Sequence, residues 1–355
     1  MSTPGRADDV PRILGTTPGA AGRRTKEDED ERFATARGPA TARGRTGGRS
    51  RRPRGSTGRR RPGRRRGGNR RGRGLRHDRR RGPAVSPARG KHFEPRRAIV
   101  TGSDSGIGRA TAVALAAAGM DVGVTWRSDR EGAERTAAEV RGHGARAVVA
   151  HLDVSDLSRC GEVVDGMIDE LGGIDVFVNN AGAGTRTPVL ELTLDEWNRV
   201  VDTDLTGAFV CLQRAARAMV SAGRGGRLIA VTSVHAHQPM VGSSAYDAAK
   251  HGLDGLMKNL ALELGEHGIT SVSVAPGEIA TPMTDQADGD PWTEERPGIP
   301  LGRPGDAREV AALIAFLASS QGGYVSGTSV VVDGGMLQMG PQAGASIADD
   351  RWRRI

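Results

Sequence analysis

Three side chains have types and spacings that suit proton transfer to an oxygen atom. Tyr246 and Lys250 are four residues apart in a segment with helical periodicity, so both should lie on one helix face. Ser233 follows an apolar run that predicts a strand packed beside that helix. An unperturbed tyrosine has a pKa of about 10, and a neighbouring ammonium stabilises the phenolate. We therefore expect Tyr246 to exchange a proton with an oxygen that Ser233 holds, although an ordinary helical pair would also explain a lone Tyr-x-x-x-Lys.

A glycine-rich turn joins the first predicted strand to the first predicted helix. Its sequence is Thr101-Gly102-Ser103-Asp104-Ser105-Gly106-Ile107-Gly108. Glycine permits a tight turn and, because it lacks a Cβ atom, lets an anion approach the backbone N–H groups at the helix start. The spacing Gly-x-x-x-Gly-x-Gly favours binding of a pyrophosphate, and the alternative is a glycine turn without a ligand.

A second segment of small residues ends the fourth predicted strand. Asn179-Asn180-Ala181-Gly182 combines amides that can lock a loop or a neighbouring strand with two small residues that leave room for a ribose. Taken alone, this segment is also explained by a simple turn.

Strands and helices alternate through the region that carries these residues. Short apolar runs predict strands at 98–100, 122–126, 147–152, 175–179, 227–232, 270–275 and 329–332. Helical patterns lie at 108–118, 133–141, 163–171, within 195–222, at 245–266 and at 306–319. This order predicts an α/β fold: a single doubly wound Rossmann-type domain over 93–341, with a seven-stranded parallel sheet and helices on both faces.

In combination, these motifs resemble the short-chain dehydrogenase/reductase family over residues 97 to about 340. Pro276-Gly277-Glu278-Ile279-Ala280-Thr281 and Asp333-Gly334-Gly335 resemble further segments of the family. The resemblance is strongest near acetoin/diacetyl reductases, glucose dehydrogenases and 3-oxoacyl-carrier-protein reductases. It implies hydride transfer between a nicotinamide cofactor and a small-molecule carbonyl or secondary alcohol substrate.

The resemblance also implies roles for individual residues. Tyr246 is the acid and base, Lys250 stabilises its phenolate and holds the nicotinamide ribose, and Ser233 orients the carbonyl. The residues expected to bind the cofactor are Gly102, Ser103, Ser105, Gly106, Ile107, Gly108, Arg127, Asp153, Val154, Asn180, Ala181, Gly182, Tyr246, Lys250, Pro276, Gly277, Ile279 and Thr281.

One position departs from the family pattern. Asp204 stands where the family usually has an asparagine that holds a proton-relaying water. A carboxylate accepts the same hydrogen bonds and can pair with Lys250, but it donates none unless it is protonated. We expect Asp204 to act as the fourth catalytic residue; a weakened or altered relay is the alternative. Because Asp204 departs from the family pattern, a non-catalytic function is a further alternative. Such a protein would bind the cofactor without turnover, or contact nucleic acid through its N-terminal segment.

The end of the second strand favours NADP(H). Proteins that bind NAD place an acidic residue there, which hydrogen-bonds the ribose 2′-hydroxyl. This chain has Trp126-Arg127-Ser128 instead, and Arg127 can pair with a 2′-phosphate. Asp129 follows directly after Ser128, and an acidic residue this close to the strand end means that NAD(H) is the alternative cofactor.

The residues that would contact the substrate are less distinctive. His235 and His237 follow Ser233 closely, and we expect them to border the pocket together with Glu278. The stretch 283–300 is rich in Asp, Gly and Pro and predicts a lid over the site. None of these residues identifies the substrate.

The first 92 residues differ in composition from the rest. Residues 1–90 contain 27 Lys and Arg against 8 Asp and Glu, whereas the remaining 265 residues contain 24 and 34. With few apolar residues to offset chain entropy, 1–92 is expected to be a disordered basic arm, and 342–355 a C-terminal tail. The arm could contact nucleic acid through phosphates, but Phe33 is its only Phe, Tyr or Trp, so it offers no stacking platform. The alternative is an extension translated upstream of a start near Val85.

Several function classes are disfavoured. Cys160 and Cys211 have no CxxC spacing, so we expect neither a disulfide framework nor a cysteine-based metal site. We expect the protein in a reducing compartment, the cytoplasm. No apolar stretch is long enough for a membrane span, and the N-terminus lacks the apolar core of a secretory signal. The family resemblance implies a homo-oligomer, often a tetramer.

We expect deletion of residues 1–90 to leave turnover unchanged, because every motif with chemistry lies after residue 97. The measurement is the steady-state rate of the truncated protein beside the full chain. Loss of activity on truncation would contradict this expectation, and binding of the full chain to DNA that falls steeply with salt would favour the nucleic-acid alternative.

Overall fold

The computed structural model describes residues 93–284, 286 and 290–339. The arm expected over 1–92 and the tail expected over 342–355 lie outside the described residues. The strands are β1 (Arg97–Val100), β2 (Asp121–Trp126), β3 (Ala147–His151), β4 (Val176–Asn179), β5 (Gly226–Val231), β6 (Ile269–Pro276), β7 (Ile279–Ala280), β8 (Gly305–Asp306) and β9 (Ser329–Val332). The α-helices are α1 (Gly106–Ala117), α2 (Arg130–Gly142), α3 (Cys160–Leu171), α4 (Leu194–Val201), α5 (Gly207–Ala222), α6 (Ser244–Leu264) and α7 (Ala307–Ala318).

Seven strands form one parallel sheet in the order β3-β2-β1-β4-β5-β6-β9. The predicted α/β fold with a seven-stranded parallel sheet is therefore confirmed, and the predicted strands and helices are present with ends that differ by a few residues. Two further strands, β7 and β8, form a separate two-residue pair after β6 that was not expected from the sequence. Elements this short carry too little periodicity to be recognised.

The two faces of the sheet are covered by different helices, because successive residues of a strand point to opposite faces. In β1, Ile99 packs in a cluster with residues of α3, α5 and α6. Its neighbours Ala98 and Val100 belong to the cluster on the other face, with residues of α1, α2 and α7. Buried on both faces, the strands read as continuous apolar runs, as expected for a parallel sheet.

The strand order reverses between β1 and β4. From β1 the chain proceeds outward to β2 and β3, then returns to β4 on the other side of β1. The connections that leave β1 and β4 therefore diverge and open a crevice at the carboxyl edge of the sheet, which is where ligands bind in open α/β sheets. The glycine-rich turn follows β1 and the Asn-Ala-Gly segment follows β4, so the topology brings these two motifs together.

A π-helical turn, Asp202–Thr206, separates α4 from α5. Such turns are rare, and they occur frequently at functional sites. The sequence pattern predicts only helices within 195–222 and gives no signal for this turn, which carries Asp204. Within the part of the chain that the structure describes, no helix combines the length and the apolar character needed to cross a membrane.

Candidate active site

A cleft of about 820 Å³ opens at the carboxyl edge of the sheet. It is lined by residues from the glycine-rich turn, the ends of β2, β4, β5 and β6, and the start of α6. Most of the predicted site residues line it: Gly102, Ser105, Gly106, Ile107, Gly108, Arg127, Val154, Asn180, Ala181, Gly182, Ser233, His235, Tyr246, Lys250, Pro276, Gly277, Glu278, Ile279 and Thr281.

The glycines of the turn are required by its backbone and its packing. Gly102 and Gly106 have φ values of 60° and 52°, in the left-handed region that favours glycine. A Cβ atom on Gly108 would collide with the carbonyl oxygen of Gly102, so the turn closes tightly on the start of α1 only with glycine at this position. At these glycines the turn thus presents backbone, without a side chain, to the cleft.

Hydrogen bonds from neighbouring strands fix the glycine-rich turn. Asn180 donates through Nδ2 to the carbonyl oxygens of Thr101 and Gly102, at 2.9 Å each. Thr101 Oγ1 accepts from the backbone N–H groups of Asn180 and Ala181, both at 2.9 Å. Thr125 Oγ1, on β2, accepts from the Gly102 N–H at 2.9 Å. The sequence predicted that Asn180 would lock a loop, but the contributions of Thr101 and Thr125 had no sequence signal.

The start of α1 fits a pyrophosphate. No side chain caps its first turn, and that turn contains no acidic residue. The N–H groups at this end therefore keep their capacity to bind an anion, and the helix dipole adds a partial positive charge. An anion at this end would lie in the same cleft as Tyr246 and Lys250.

Ser233, Tyr246 and Lys250 meet at the far end of the cleft. Ser233 begins a short 3₁₀ turn after β5, and its Oγ accepts a hydrogen bond from the His235 N–H at 3.1 Å. Tyr246 and Lys250 lie one turn apart on α6, with Lys250 Nζ 5.3 Å from the centre of the Tyr246 ring. The predicted helical pair therefore shares one face and one cleft.

Lys250 is held by a buried ion pair. Its Nζ lies 3.0 Å from Asp204 Oδ2, and the two side chains are 4% and 0% exposed. Asp204 Oδ1 accepts from the Ala183 N–H at 2.6 Å. Burial lowers the pKa of Lys250, but the charges of Asp204 and Tyr246, with hydrogen bonding by Asp204, outweigh it and raise the pKa above the usual lysine value. The ammonium is thus retained in a site where an unpaired lysine would tend to lose its proton.

Asp204 does not line the cleft. It is fully buried behind Lys250, on the π-helical turn. The predicted pairing with Lys250 is present. Any part that Asp204 takes in proton relay would act through Lys250, and its role as the fourth catalytic residue stays a prediction.

Three other predicted residues are not among those that line the cleft. Ser103 is fully buried; its Oγ donates to Val100 O and accepts from the Thr125 N–H, both at 2.9 Å, so it holds the turn from inside. Asp153 does not line the cleft, and its Oδ1 accepts from the Ser155 N–H at 2.9 Å. His237 is exposed and contacts Ser329 Oγ at 3.0 Å.

Glu278 lines the cleft, but its carboxylate already forms an ion pair and a hydrogen bond within the protein. Glu278 Oε1 accepts from Arg296 Nε at 2.6 Å and from Gln286 Nε2 at 2.8 Å. Both donors belong to the stretch that was predicted to be a lid. The carboxylate therefore ties this stretch to the end of β6.

The end of β2 carries a cation to the cleft. Arg127 is exposed, and its side chain has no ion pair with a described residue. The backbone oxygen of Arg127 contacts His151 Nε2 at 3.1 Å, which fixes the strand end. Asp104 also lines the cleft; burial raises its pKa, and the charge of Asp129 acts in the same direction, while Arg127 opposes it.

Comparisons with known proteins agree with this geometry. Residues 102–337 match the family model described as enoyl-(acyl carrier protein) reductase. An uncharacterized oxidoreductase, YohF, of Escherichia coli strain K12 is 49% identical over 245 residues, which cover 69% of this chain and 97% of that protein. A 3-oxoacyl-[acyl-carrier-protein] reductase of Synechocystis is 39% identical over 68% of this chain and 96% of that protein. The crystal structure of acetoin dehydrogenase YohF from Salmonella typhimurium has a TM-score of 0.67, with 47% identity over 70% of this chain and 98% of that one.

The chain belongs to the short-chain dehydrogenase/reductase family. It is accordingly an oxidoreductase that uses a nicotinamide cofactor and transfers hydride. Family membership supports the enzyme over the alternative of a non-catalytic scaffold or a protein that contacts nucleic acid. The resemblance drawn from the glycine-rich turn, the Asn-Ala-Gly segment and Ser233, Tyr246 and Lys250 is thereby confirmed.

Replacing Asp204 by Ala should destabilise this short-chain dehydrogenase/reductase by about 3–5 kcal/mol, because it leaves the Lys250 ammonium buried without its partner. The pKa of Lys250 is raised in the folded state, so the pair contributes fully below the unfolded lysine pKa and its contribution is lost as pH rises through the folded value. The difference between the two proteins should therefore shrink at alkaline pH. Urea unfolding at neutral and alkaline pH measures both effects.

The matched control is Asp165→Ala, which removes a half-exposed pair with Arg214. Its cost should not exceed about 1 kcal/mol. Equal stability of the Asp204→Ala protein and the wild type would show that the buried pair is not what holds this end of the site.

Proposed function

We propose that the chain is an NADP(H)-dependent carbonyl reductase in which Tyr246 is the proton donor. One observation carries the proposal: Ser233, Tyr246 and Lys250 line the same cleft as the glycine-rich turn and Arg127. A phenol, an ammonium and a hydroxyl converge at one end, and a helix start suited to an anion lies with the guanidinium of Arg127 at the other. This arrangement suits a dinucleotide whose reactive ring meets a carbonyl group beside the phenol.

Each residue has a distinct task in reduction. Ser233 Oγ accepts from the His235 N–H, so its own proton is free to be donated to the substrate carbonyl oxygen. Tyr246 gives its phenolic proton to that oxygen, and in the reverse direction it takes the proton back. The Lys250 ammonium stabilises the phenolate that remains. The nicotinamide, when bound, supplies the hydride that the carbonyl carbon accepts.

The substrate we infer is a small hydroxyketone. Two similar solved structures, from Salmonella typhimurium and Enterobacter cloacae, are called acetoin dehydrogenases and are 47% and 48% identical to this chain. The 3-oxoacyl-[acyl-carrier-protein] reductase of Synechocystis is less similar, at 39%. The higher identity favours the hydroxyketone over an acyl thioester.

The proposed assembly is a homo-oligomer. Two large apolar side chains stand exposed on long helices, Phe209 on α5 at 42% and Leu262 on α6 at 84%. Exposed apolar residues on neighbouring helices favour burial against a second copy of the chain. A tetramer and a cytoplasmic location stay predictions from the family resemblance.

Replacing Tyr246 by Phe should abolish turnover and leave NADPH affinity largely intact, because the change removes one hydroxyl and keeps the ring. Steady-state reduction of 3-hydroxy-2-butanone measures the first effect, and calorimetric titration with NADPH measures the second. Substantial remaining turnover would overturn the assignment of the proton donor.

Replacing Arg127 by Ala should lower kcat/KM for NADPH by about tenfold or more, since a hydrogen bond to a charged group is worth about 1.5–3 kcal/mol. The value for NADH should barely change, because NADH has no 2′-phosphate. Arg130→Ala is the control: Arg130 is exposed at the start of α2 and does not line the cleft. A wild-type protein that prefers NADH, or a parallel loss with both cofactors, would reject the role of Arg127.

A further inference from the structure

A histidine and a buried carboxylate form a pair beside Tyr246 that the mechanism above does not use. His235 Nδ1 lies 3.6 Å from Asp247 Oδ1, and the two side chains are 19% and 9% exposed. Asp247 Oδ2 accepts from the Met240 N–H at 2.9 Å, whereas Oδ1 has no hydrogen bond within the described part of the chain. A buried carboxylate oxygen without a donor is costly, so its position toward the imidazole calls for an explanation.

The surroundings of the imidazole fix which nitrogen carries the proton. Nδ1 lies 3.1 Å from the carbonyl oxygen of Gln238 in addition to the Asp247 carboxylate. Both neighbours only accept hydrogen bonds, so Nδ1 carries the proton and, in the neutral ring, Nε2 is an acceptor. No hydrogen bond to Nε2 occurs among the residues that the structure describes, and the ring lines the cleft.

The ring stands next to the reacting group. The His235 and Tyr246 rings meet edge to face, with centres 5.9 Å apart and an angle of 72° between planes. The backbone N–H of His235 also holds Ser233 Oγ. His235 therefore lies beside Ser233 and Tyr246, the two residues that would bind the reacting oxygen.

We propose that His235, positioned by Asp247, accepts a hydrogen bond from a hydroxyl group on the carbon next to the reacting carbonyl. The pair thereby makes the cleft selective for α-hydroxyketones in reduction and for vicinal diols in oxidation. This inference rests on the proposed carbonyl reductase function, and it assigns the selectivity to one side chain. His235 is then a specificity-determining residue, and Asp247 a positioning residue that acts through it.

The test compares two ketones of similar shape, 3-hydroxy-2-butanone and 3-methyl-2-butanone, in which a methyl group replaces the hydroxyl. With NADPH, His235→Leu should lower the ratio of their kcat/KM values by about tenfold, the effect of one hydrogen bond. His235→Gln, which keeps an acceptor oxygen, should restore part of the preference.

Asp247→Asn tests the positioning role. It should lower the same ratio, whereas the control Asp254→Asn, two turns further along α6 and paired with Lys258, should not. Independently of turnover, ¹⁵N spectra of histidine-labelled protein at a pH where imidazole is neutral should show the proton of His235 on Nδ1.

The outcomes separate the two proposals. If the wild type reduces neither ketone with NADPH or NADH, the proposed function fails and the inference falls with it. If it reduces both and His235→Leu leaves their ratio unchanged, the inference alone is wrong. A His235 proton on Nε2 in the wild type would also overturn it.

Discussion

The arrangement of this site depends on one buried positive charge. Lys250 carries its ammonium in the interior at 3% exposure, which is unfavourable unless a counter-charge is present. Asp204 supplies that charge at 3.0 Å, and the pair sits directly behind the small residues that follow β4. A Cβ atom on Gly182 would lie 3.1 Å from Asp204 Oδ2 and 3.3 Å from Lys250 Nζ, so the ion pair and the segment fit closely. A fixed ammonium next to Tyr246, with its pKa raised above the usual lysine value, follows from this packing.

The parallel sheet makes the site possible because it gathers short segments that are far apart in the chain. The turn after β1, the segment after β4 and the serine after β5 all emerge at the same edge, and β1, β4 and β5 are adjacent strands. The cleft therefore has a rigid floor made of strand ends. The longest described helix, α6, contributes Tyr246 and Lys250 to the cleft from a single helix face.

The sequence predicted the fold and the main constellation because both follow from periodicity and local chemistry. The apolar runs identified all seven strands of the sheet, and four-residue spacing placed Tyr246 and Lys250 together. What it could not predict depends on burial and on contacts between distant residues. Ser103 belongs to the glycine-rich turn yet points into the fold, and Asp204 aligns with a catalytic position yet lies behind the cleft. The pairing of His235 with Asp247 likewise arises from the bend after Ser233, whose geometry no local pattern specifies.

The central claim, a buried and persistently charged Lys250, can be measured directly. The chain has only four lysines, Lys26, Lys91, Lys250 and Lys258, so a lysine-labelled sample gives a simple NMR spectrum. The Lys250 signal is identified by its absence in a Lys250→Arg protein, and all signals are followed from neutral pH to about pH 11, around the ordinary lysine pKa of about 10.4. The account predicts that Lys250 keeps its proton to a pH above that ordinary value. Titration of Lys250 at or below that value would contradict the account.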